Sequence, residues 1–288
     1  MDEIEFIGIV LICGDEGTCK TSMGLSFPKP LSHLDIDMGG FQRAAWRIEQ
    51  EGIESTSFPK PLTDADIAKM KGITTEVSTR VMSVPKKVEG MKELWQSIID
   101  KIVTDCLNSE IKSIVIDSAT LLYKIGCDAF LQELQEKQLA RWKGDSNTRN
   151  LPFDENTYRE KLQPIEYGNV YDRLQRVFHT ARSYQKNLIL IHYPTDEYGS
   201  IPDGKGGYNE GKTGKIIVDG YKDTAKYSDL VVWTLVKEVK EKGGKTTKLP
   251  TARITKCGIQ GMGLQVVGME VEASFEGVMG LRRMLAGE

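Results

Sequence analysis

The residues GDEGTCKT, at positions 14–21, combine glycines with an adjacent lysine and threonine. They follow the apolar run IGIVLICG (7–14), which is typical of a buried strand, and they open a helix predicted from Lys20. A glycine turn between a strand and a helix binds phosphate, because its backbone N–H groups and the helix N-terminus point at the anion. We therefore predict a phosphate-binding loop whose nucleotide contacts come from Gly14, Asp15, Glu16, Gly17, Thr18, Cys19, Lys20, Thr21 and Ser22.

The residues of this loop have distinct expected roles. Lys20 would reach the β- and γ-phosphates of ATP, and Thr21 would bind Mg²⁺. Gly14 and Gly17 would permit the tight turn. Cys19 is a departure, since it occupies the position that usually holds the last glycine. Because a side chain there crowds the nucleotide, we expect Cys19 to weaken nucleotide affinity without moving the site.

A second acidic position lies at the end of the apolar run IKSIVIDS (111–118), where Asp117 closes a predicted buried strand. A carboxylate at this edge of a parallel sheet can hold the water shell of Mg²⁺ beside the phosphate loop. We predict Thr21 and Asp117 as the metal ligands, partly through water. Ser118 stands where many P-loop motors carry a glutamate base, so the general base is expected elsewhere.

The candidate general bases belong to the second predicted strand, LSHLDID (31–37). Asp37 ends this strand and is the first candidate, because a carboxylate there can orient a water molecule toward the phosphate. Asp35 is the second candidate. Both residues also fit the simpler role of ending a strand and starting a turn.

Two further residues are candidates for catalysis. His192 closes the strand LILIH, where it can sense the γ-phosphate and relay its presence to the segment that follows. Lys256 follows the last predicted hairpin and can reach the nucleotide of a neighbouring subunit, with Arg253 as the weaker alternative. A structural histidine and a solvated lysine are the simpler interpretations.

The glycine-rich segment 199–226 is predicted to be a flexible loop, because its composition resists helix and strand formation. Such a segment binds single-stranded DNA when its lysines contact phosphates and its tyrosines stack on bases. Acidic residues nearly balance its lysines, which fits a soluble surface equally well. The predicted DNA contacts are Lys205, Tyr208, Lys212 and Lys215.

Apolar runs alternate with segments of helical period along the chain, which predicts an α/β fold. The stripe of apolar residues over 91–107 predicts a helix, and NLILIHY (187–193) predicts a buried strand. DLVVWTLVKEV and KLPTARITKC predict a β-hairpin near the C-terminus. We expect a mostly parallel sheet flanked by helices, in a single domain over 1–288 with an insertion at 124–167 that contains one helix, Asp128 to Trp142.

The composition narrows the classes of protein that the chain can belong to. A net charge of -3 and a pI near 5.8 argue against a uniformly basic nucleic-acid coat. The run at 7–14 follows acidic residues and is far shorter than the roughly 20 residues that span a bilayer, so we expect no signal peptide and no membrane partner. The 5 cysteines form no CxxC pair, which favours a reducing cytoplasm over a disulfide framework or a zinc site.

These motifs together resemble those of the RecA-fold P-loop NTPases, especially the small phage-encoded RecA-like ATPases of recombination and single-strand annealing. The resemblance covers most of the chain. It rests on GDEGTCKT followed by SFPKPLSHLDIDMGG, on IKSIVIDSAT, and on YGNVYDRLQRVFHTARSYQKNLILIHYPTDEY.

The resemblance implies a RecA-like core that uses ATP and Mg²⁺ and assembles as a ring or filament. It also implies that Asp37 is the catalytic base, that His192 is a sensor of the phosphate, and that residues 194–226 contact single-stranded DNA. The chain departs from the family at Cys19, at Asp37 where glutamate is commoner, and in the enlarged region 124–167.

The first hypothesis is a Mg²⁺-dependent ATPase that binds single-stranded DNA, works with a single-strand-binding or recombination protein, and supports phage-like recombination in the host cytoplasm. The alternative is a nucleotide-gated scaffold that scarcely hydrolyses ATP and recruits a protein partner, which Cys19 and the acidic pI favour. A phosphotransferase would need an arginine-bearing lid, and the segment 199–226 contains no arginine. A helicase loader would need an acidic residue at Ser118.

Overall fold

The computed structural model describes residues 8–62, 66–67, 70–71, 86–202, 208–240 and 246–287. The strands within these ranges are β1 (Ile9–Gly14), β2 (Leu31–Asp35), β3 (Glu54–Ser57), β4 (Ser113–Asp117), β5 (Asn187–His192), β6 (Pro194–Pro202), β7 (Tyr208–Val218), β8 (Leu230–Lys240), β9 (Thr246–Cys257) and β10 (Glu270–Glu272). The α-helices are α1 (Lys20–Gly24), α2 (Gly40–Glu51), α3 (Met91–Leu107), α4 (Ala119–Gly144), α5 (Tyr167–Ser183), α6 (Thr224–Tyr227) and α7 (Phe275–Ala286).

The main sheet has the strand order β10-β9-β8-β1-β5-β4-β2-β3. Neighbours from β8 to β3 run parallel, whereas β9 is antiparallel to both β8 and β10. Parallel strands end at the same edge of the sheet, which is where ligands bind in folds of this class. The predicted α/β class is confirmed, including the mostly parallel sheet and the antiparallel hairpin near the C-terminus.

Helices cover both faces of the sheet, and alternate residues of each strand enter different cores. Val115 of β4 packs in the core that contains residues of α1, α2 and α7, on what we call the α1 face. Ile114 and Ile116 pack in the core that contains residues of α3, α4 and α5, on what we call the α4 face. This alternation determines which side chains at the strand ends can meet the phosphate-binding loop.

The region 124–167, expected to be an insertion with a helix over Asp128 to Trp142, differs from that expectation. Helix α4 begins at Ala119, directly after β4, and is 26 residues long. Ile125, Ala129 and Phe130 are buried in the core of the α4 face, so the first half of the region belongs to the core.

None of the described helices is long and apolar enough to cross a membrane.

The segment 199–226, expected to be a flexible loop, is largely ordered into regular structure. Strands β6 and β7 pair antiparallel as a hairpin, and α6 follows them. Gly199 lies opposite Gly211 in the hairpin, so glycines that indicated a loop by composition are paired across strands. Tyr221 is buried, at 2% exposure. Lys205, one of the predicted DNA contacts, lies outside the described residues.

Candidate nucleotide-binding site

The loop between β1 and α1 is held against β8. Thr18 Oγ1 lies 2.7 Å from Thr234 Oγ1, and it also donates to the Asp15 carbonyl at 2.7 Å. A Cβ on Gly14 would lie 2.3 Å from Thr234 Oγ1 and 2.6 Å from the Thr234 carbonyl oxygen. Gly14 therefore permits a close approach of the loop to β8 that no other residue allows, and Gly17 adopts a φ of 75°.

Lys20 opens α1 and folds back over the loop. Its Nζ donates to the carbonyl oxygens of Gly14 and Asp15, each at 2.6 Å. Burial lowers the pKa of Lys20, although neighbouring acidic groups oppose this effect. Phosphate oxygens are stronger acceptors for an ammonium group than carbonyl oxygens. Lys20 is thus placed to exchange its carbonyl partners for a phosphate.

Cys19 adopts a left-handed conformation, with φ 65° and ψ 27°. Such a conformation favours glycine, because a Cβ crowds the backbone there. Cys19 therefore combines a side chain with the backbone conformation that the glycine of the sequence pattern would adopt.

Thr21 and Asp117 are brought together at the ends of α1 and β4. Thr21 Oγ1 donates to Asp117 Oδ2 at 2.6 Å, and Asp117 is only 1% exposed. A hydroxyl and a carboxylate are the oxygen ligands that Mg²⁺ prefers, usually together with water and substrate phosphates. The two side chains therefore fit the predicted metal site.

His33 supports this acidic position from β2. The side chain is buried; its Nδ1 lies 2.9 Å from Ser55 Oγ. Its Nε2 lies 3.8 Å from Asp117 Oδ2 and has no hydrogen-bond partner among the described residues. His33 was not among the predicted site residues. The pairing of β2 with β4 places it two positions before the level of the two strand-end aspartates, Asp35 and Asp117, which are register partners.

Asp35 is used to hold the start of α2. Its Oδ1 accepts from the Gly40 N–H at 3.1 Å and its Oδ2 from the Phe41 N–H at 3.0 Å. Burial raises the pKa of Asp35, and the backbone hydrogen bonds oppose that effect. A Cβ on Gly40 would lie 3.1 Å from Asp35 Oδ1 and 2.8 Å from Asp117 Oδ2, so the two carboxylates converge on this glycine.

Asp37 lies beyond the end of β2, where Tyr193 contacts both the Asp37 carboxylate and the Lys20 side chain. Asp37 Oδ2 accepts from the Tyr193 hydroxyl at 2.8 Å and from Arg43 Nη2 at 2.7 Å. Burial raises the pKa of Asp37, but hydrogen bonds from Gly39, Tyr193 and Arg43 outweigh it, and the pKa is lowered overall. Asp37 is thus a carboxylate that stays ionised near the phosphate loop.

His192 and Tyr193 point to opposite faces of the sheet. His192 Nδ1 lies 2.9 Å from the Asp219 carbonyl oxygen and 3.4 Å from Thr120 Oγ1, at the start of α4. Lys20 Nζ lies 4.8 Å from the centre of the Tyr193 ring. The alternation of Ile189 and Ile191 toward the α1 face places residue 193, not 192, at the phosphate loop. Tyr193 was not among the predicted site residues, because 188–191 is an uninterrupted apolar run that does not show which face of the strand α1 covers.

Lys256, Arg253 and Lys212 bind partners outside the loop between β1 and α1. Lys256 Nζ donates to the carbonyl oxygens of Ala225 and Lys226, at 2.8 Å and 3.0 Å, and so contacts α6. Arg253 forms an ion pair with Glu270. The predicted DNA contacts that the structure describes, Tyr208, Lys212 and Lys215, are on β7, where Lys212 pairs with Asp196 at 2.6 Å.

A cleft of about 650 Å³ lies between the base of the β6–β7 hairpin and strands β8 and β9. The loop residues Gly14 and Asp15 form one end of it, and Trp233 and Arg253 lie on its sheet side. The cleft therefore places the hairpin next to the phosphate-binding loop.

No protein-family model matches this chain, and no curated protein is significantly similar to it. Among solved structures, the fold is similar to that of a KaiC-like protein from the hyperthermophilic archaeon Pyrococcus horikoshii OT3. The two share 12% identity over 92% of this chain and 84% of the other, with a TM-score of 0.36. A similarity this low does not assign a function.

Proposed function

We propose that this chain is a Mg²⁺-dependent ATPase of RecA-like type. The observation that carries the proposal is the convergence of Lys20, the Thr21–Asp117 pair and Asp37 at one edge of the parallel sheet. A phosphate loop, a metal-binding pair and a carboxylate that can orient water are the parts that phosphoryl transfer to water requires.

In this proposal catalysis consists of positioning and charge stabilisation. Lys20 turns from the carbonyl oxygens of Gly14 and Asp15 to the β- and γ-phosphates. Thr21 and Asp117 would hold Mg²⁺, which when bound offsets the phosphate charge. Asp37 orients the attacking water and accepts its proton.

The proposal is tested by phosphate release from ATP in the presence of Mg²⁺. Lys20→Ala should reduce the rate by about 100-fold or more, because a charged contact to the transferring phosphate is lost. Lys137→Ala, at an exposed position on α4, is the matched control and should match the wild type. Equal rates for wild type and Lys20→Ala would show that this loop does not support hydrolysis.

We further propose that the ATPase binds single-stranded DNA in a phage-like recombination or annealing system. The β6–β7 hairpin is the proposed contact surface, since Tyr198 and Tyr208 are 69% and 73% exposed there. Lys215 lies on the same hairpin and is exposed. Exposed tyrosines and lysines together supply base stacking and phosphate contacts.

DNA binding is tested with a single-stranded oligonucleotide over a salt series. Lys215→Ala should weaken binding and reduce the slope of log K against log salt by about 0.7, the share of one phosphate contact on a single strand. Lys137→Ala again serves as control.

We also propose that the protein assembles as a ring or filament. Assembly would increase the particle mass when DNA and an ATP analogue that does not hydrolyse are added. The recombination or single-strand-binding partner is tested by adding a candidate protein to the same DNA complex.

The second candidate function is a nucleotide-gated scaffold that binds ATP and scarcely hydrolyses it. The hydrogen bonds that occupy Asp37 favour this function, because they compete with the attacking water. Tight binding of ATP with no turnover, with or without DNA, would distinguish the scaffold from the ATPase. In that case the surface of 145–166, which follows α4, is the first place to look for the partner protein.

A further inference from the structure

Both oxygens of the Asp37 carboxylate are fully engaged in hydrogen bonds. Oδ1 accepts from the Gly39 N–H at 2.9 Å and shares the Gly40 N–H with Asp35 Oδ1, each at 3.1 Å. Oδ2 accepts from the Tyr193 hydroxyl and the Arg43 guanidinium, at 2.8 Å and 2.7 Å. An ionised carboxylate has about four acceptor sites. Asp37 therefore has to lose a partner before it can accept a hydrogen bond from an attacking water.

The partners of Oδ2 are the ones that can leave. The backbone donors belong to the turn that starts α2, so losing them would mean unfolding that turn. The Arg43 side chain is 55% exposed, and water can replace Asp37 as its partner at low cost. The Tyr193 hydroxyl is carried by a ring that also contacts Lys20, the side chain that has to move when phosphate binds.

Tyr193 is also held by its backbone at the junction of β5 and the β6–β7 hairpin. Its N–H donates to Thr120 Oγ1 at 3.1 Å, and its carbonyl accepts from the Asp219 N–H at 2.8 Å. Burial and the hydrogen bond to Asp37 raise the pKa of Tyr193, so the hydroxyl keeps its proton and acts as the donor. One residue thus contacts the loop lysine, the candidate base and the hairpin.

We propose that Tyr193, assisted by Arg43, is a positioning residue that holds Asp37 in a resting state, and that this state still has to open in the ATP complex after phosphate has drawn Lys20 away from the Tyr193 ring. We call the hydrogen bonds of Tyr193 and Arg43 to Asp37 Oδ2 the resting contact. This inference rests on the proposed ATPase function. Opening the resting contact frees an acceptor on Oδ2 for the attacking water. Without bound phosphate, Asp37 therefore does not act as a base.

The decisive variant is Tyr193→Phe, which keeps the ring beside Lys20 and removes only the hydroxyl. We expect kcat for basal ATP hydrolysis to rise about tenfold, equivalent to ~1.4 kcal/mol, with unchanged affinity for an ATP analogue that does not hydrolyse. Arg43→Gln should also raise kcat, by a smaller factor. Tyr184→Phe, a half-exposed tyrosine after α5, is the matched control. A merely structural hydroxyl would lower kcat or raise KM when removed, not increase the rate.

The outcomes separate this inference from the ATPase proposal. A rate that depends on Lys20 but does not rise in Tyr193→Phe overturns the resting contact alone, whereas equal rates for wild type and Lys20→Ala overturn the ATPase. If the wild type binds the analogue but does not hydrolyse ATP, a Tyr193→Phe variant that hydrolyses ATP supports the resting contact, and a variant that does not hydrolyse ATP overturns it. Should Tyr193→Phe fail to fold, Arg43→Gln is judged by the same criterion.

Discussion

Thr21 Oγ1 donates a hydrogen bond of 2.6 Å to Asp117 Oδ2, although 96 positions separate the two residues in the chain. The contact joins the first turn of α1 to the end of β4. The Asp117 oxygen in this contact is also the one closest to His33 Nε2, at 3.8 Å. The Asp117 carboxylate is therefore contacted from both α1 and β2.

Asp117→Asn is expected to lower the affinity for ATP with Mg²⁺ by about tenfold or more, because a neutral amide is a poorer ligand for a hard cation. The affinity for ATP in EDTA should not change, since the phosphate loop is untouched. Nucleotide titrations with Mg²⁺ and with EDTA measure both quantities. Asp172→Asn, exposed on α5, is the control. An equal loss in EDTA would mean that Asp117 supports the loop rather than the metal.

Gly14→Ala is expected to destabilise the protein by about 1–3 kcal/mol, the usual cost of forcing extra volume into a packed site. The added Cβ would lie 2.3 Å from Thr234 Oγ1 and 2.6 Å from the Thr234 carbonyl. Removing the Thr234 side chain in Gly14→Ala/Thr234→Ala should not restore stability, because the carbonyl remains. Urea unfolding measures the free energies. Gly144→Ala has nothing within 4 Å and serves as control.

The sequence predicted the elements whose cause is local. The apolar stripe over 91–107 coincides with α3, and the run NLILIHY (187–193) contains β5. The turn between β1 and α1 was also predicted, because its glycines and the lysine–threonine pair lie within eight positions of the chain. In each case the determining residues lie within a few positions of one another.

The parts that the sequence did not predict depend on residues far apart in the chain. The choice between His192 and Tyr193 requires knowing which sheet face α1 covers, and this follows from the packing of Ile189 and Ile191 with Met23. The β6–β7 hairpin depends on pairing across strands, which the glycine-rich composition of 199–226 does not indicate. The engagement of Asp37 by Tyr193 spans 156 positions and leaves no local pattern.

Cys19→Gly is expected to stabilise the protein by about 1 kcal/mol, because a left-handed residue with a Cβ is strained and glycine is not. Cys19→Ala removes the sulfur but keeps the Cβ, so it should give no such gain. Urea unfolding of the three proteins measures the difference. If Cys19→Ala were stabilised as much as Cys19→Gly, the thiol rather than the backbone conformation would be the source of the cost.

His192 is expected to make the stability of the protein depend on pH below neutrality. Burial lowers its pKa from 6.5 to about 4, although the hydrogen bond to the Asp219 carbonyl opposes this effect. The unfolded chain therefore binds a proton as the pH falls below 6.5, while the folded protein does not until about pH 4. Protonation thus favours the unfolded state, and stability falls with pH across this interval.

The size of this effect follows from the two pKa values. Between pH 7 and pH 5 the wild type should lose about 2 kcal/mol of its free energy of unfolding through His192. His192→Gln has no group that titrates there, so its free energy of unfolding should fall by about 2 kcal/mol less over the same interval. Urea unfolding at both pH values measures the difference, and His179→Gln, on α5, is the control. Equal pH dependence in wild type and His192→Gln would mean that His192 titrates alike in the folded and unfolded states.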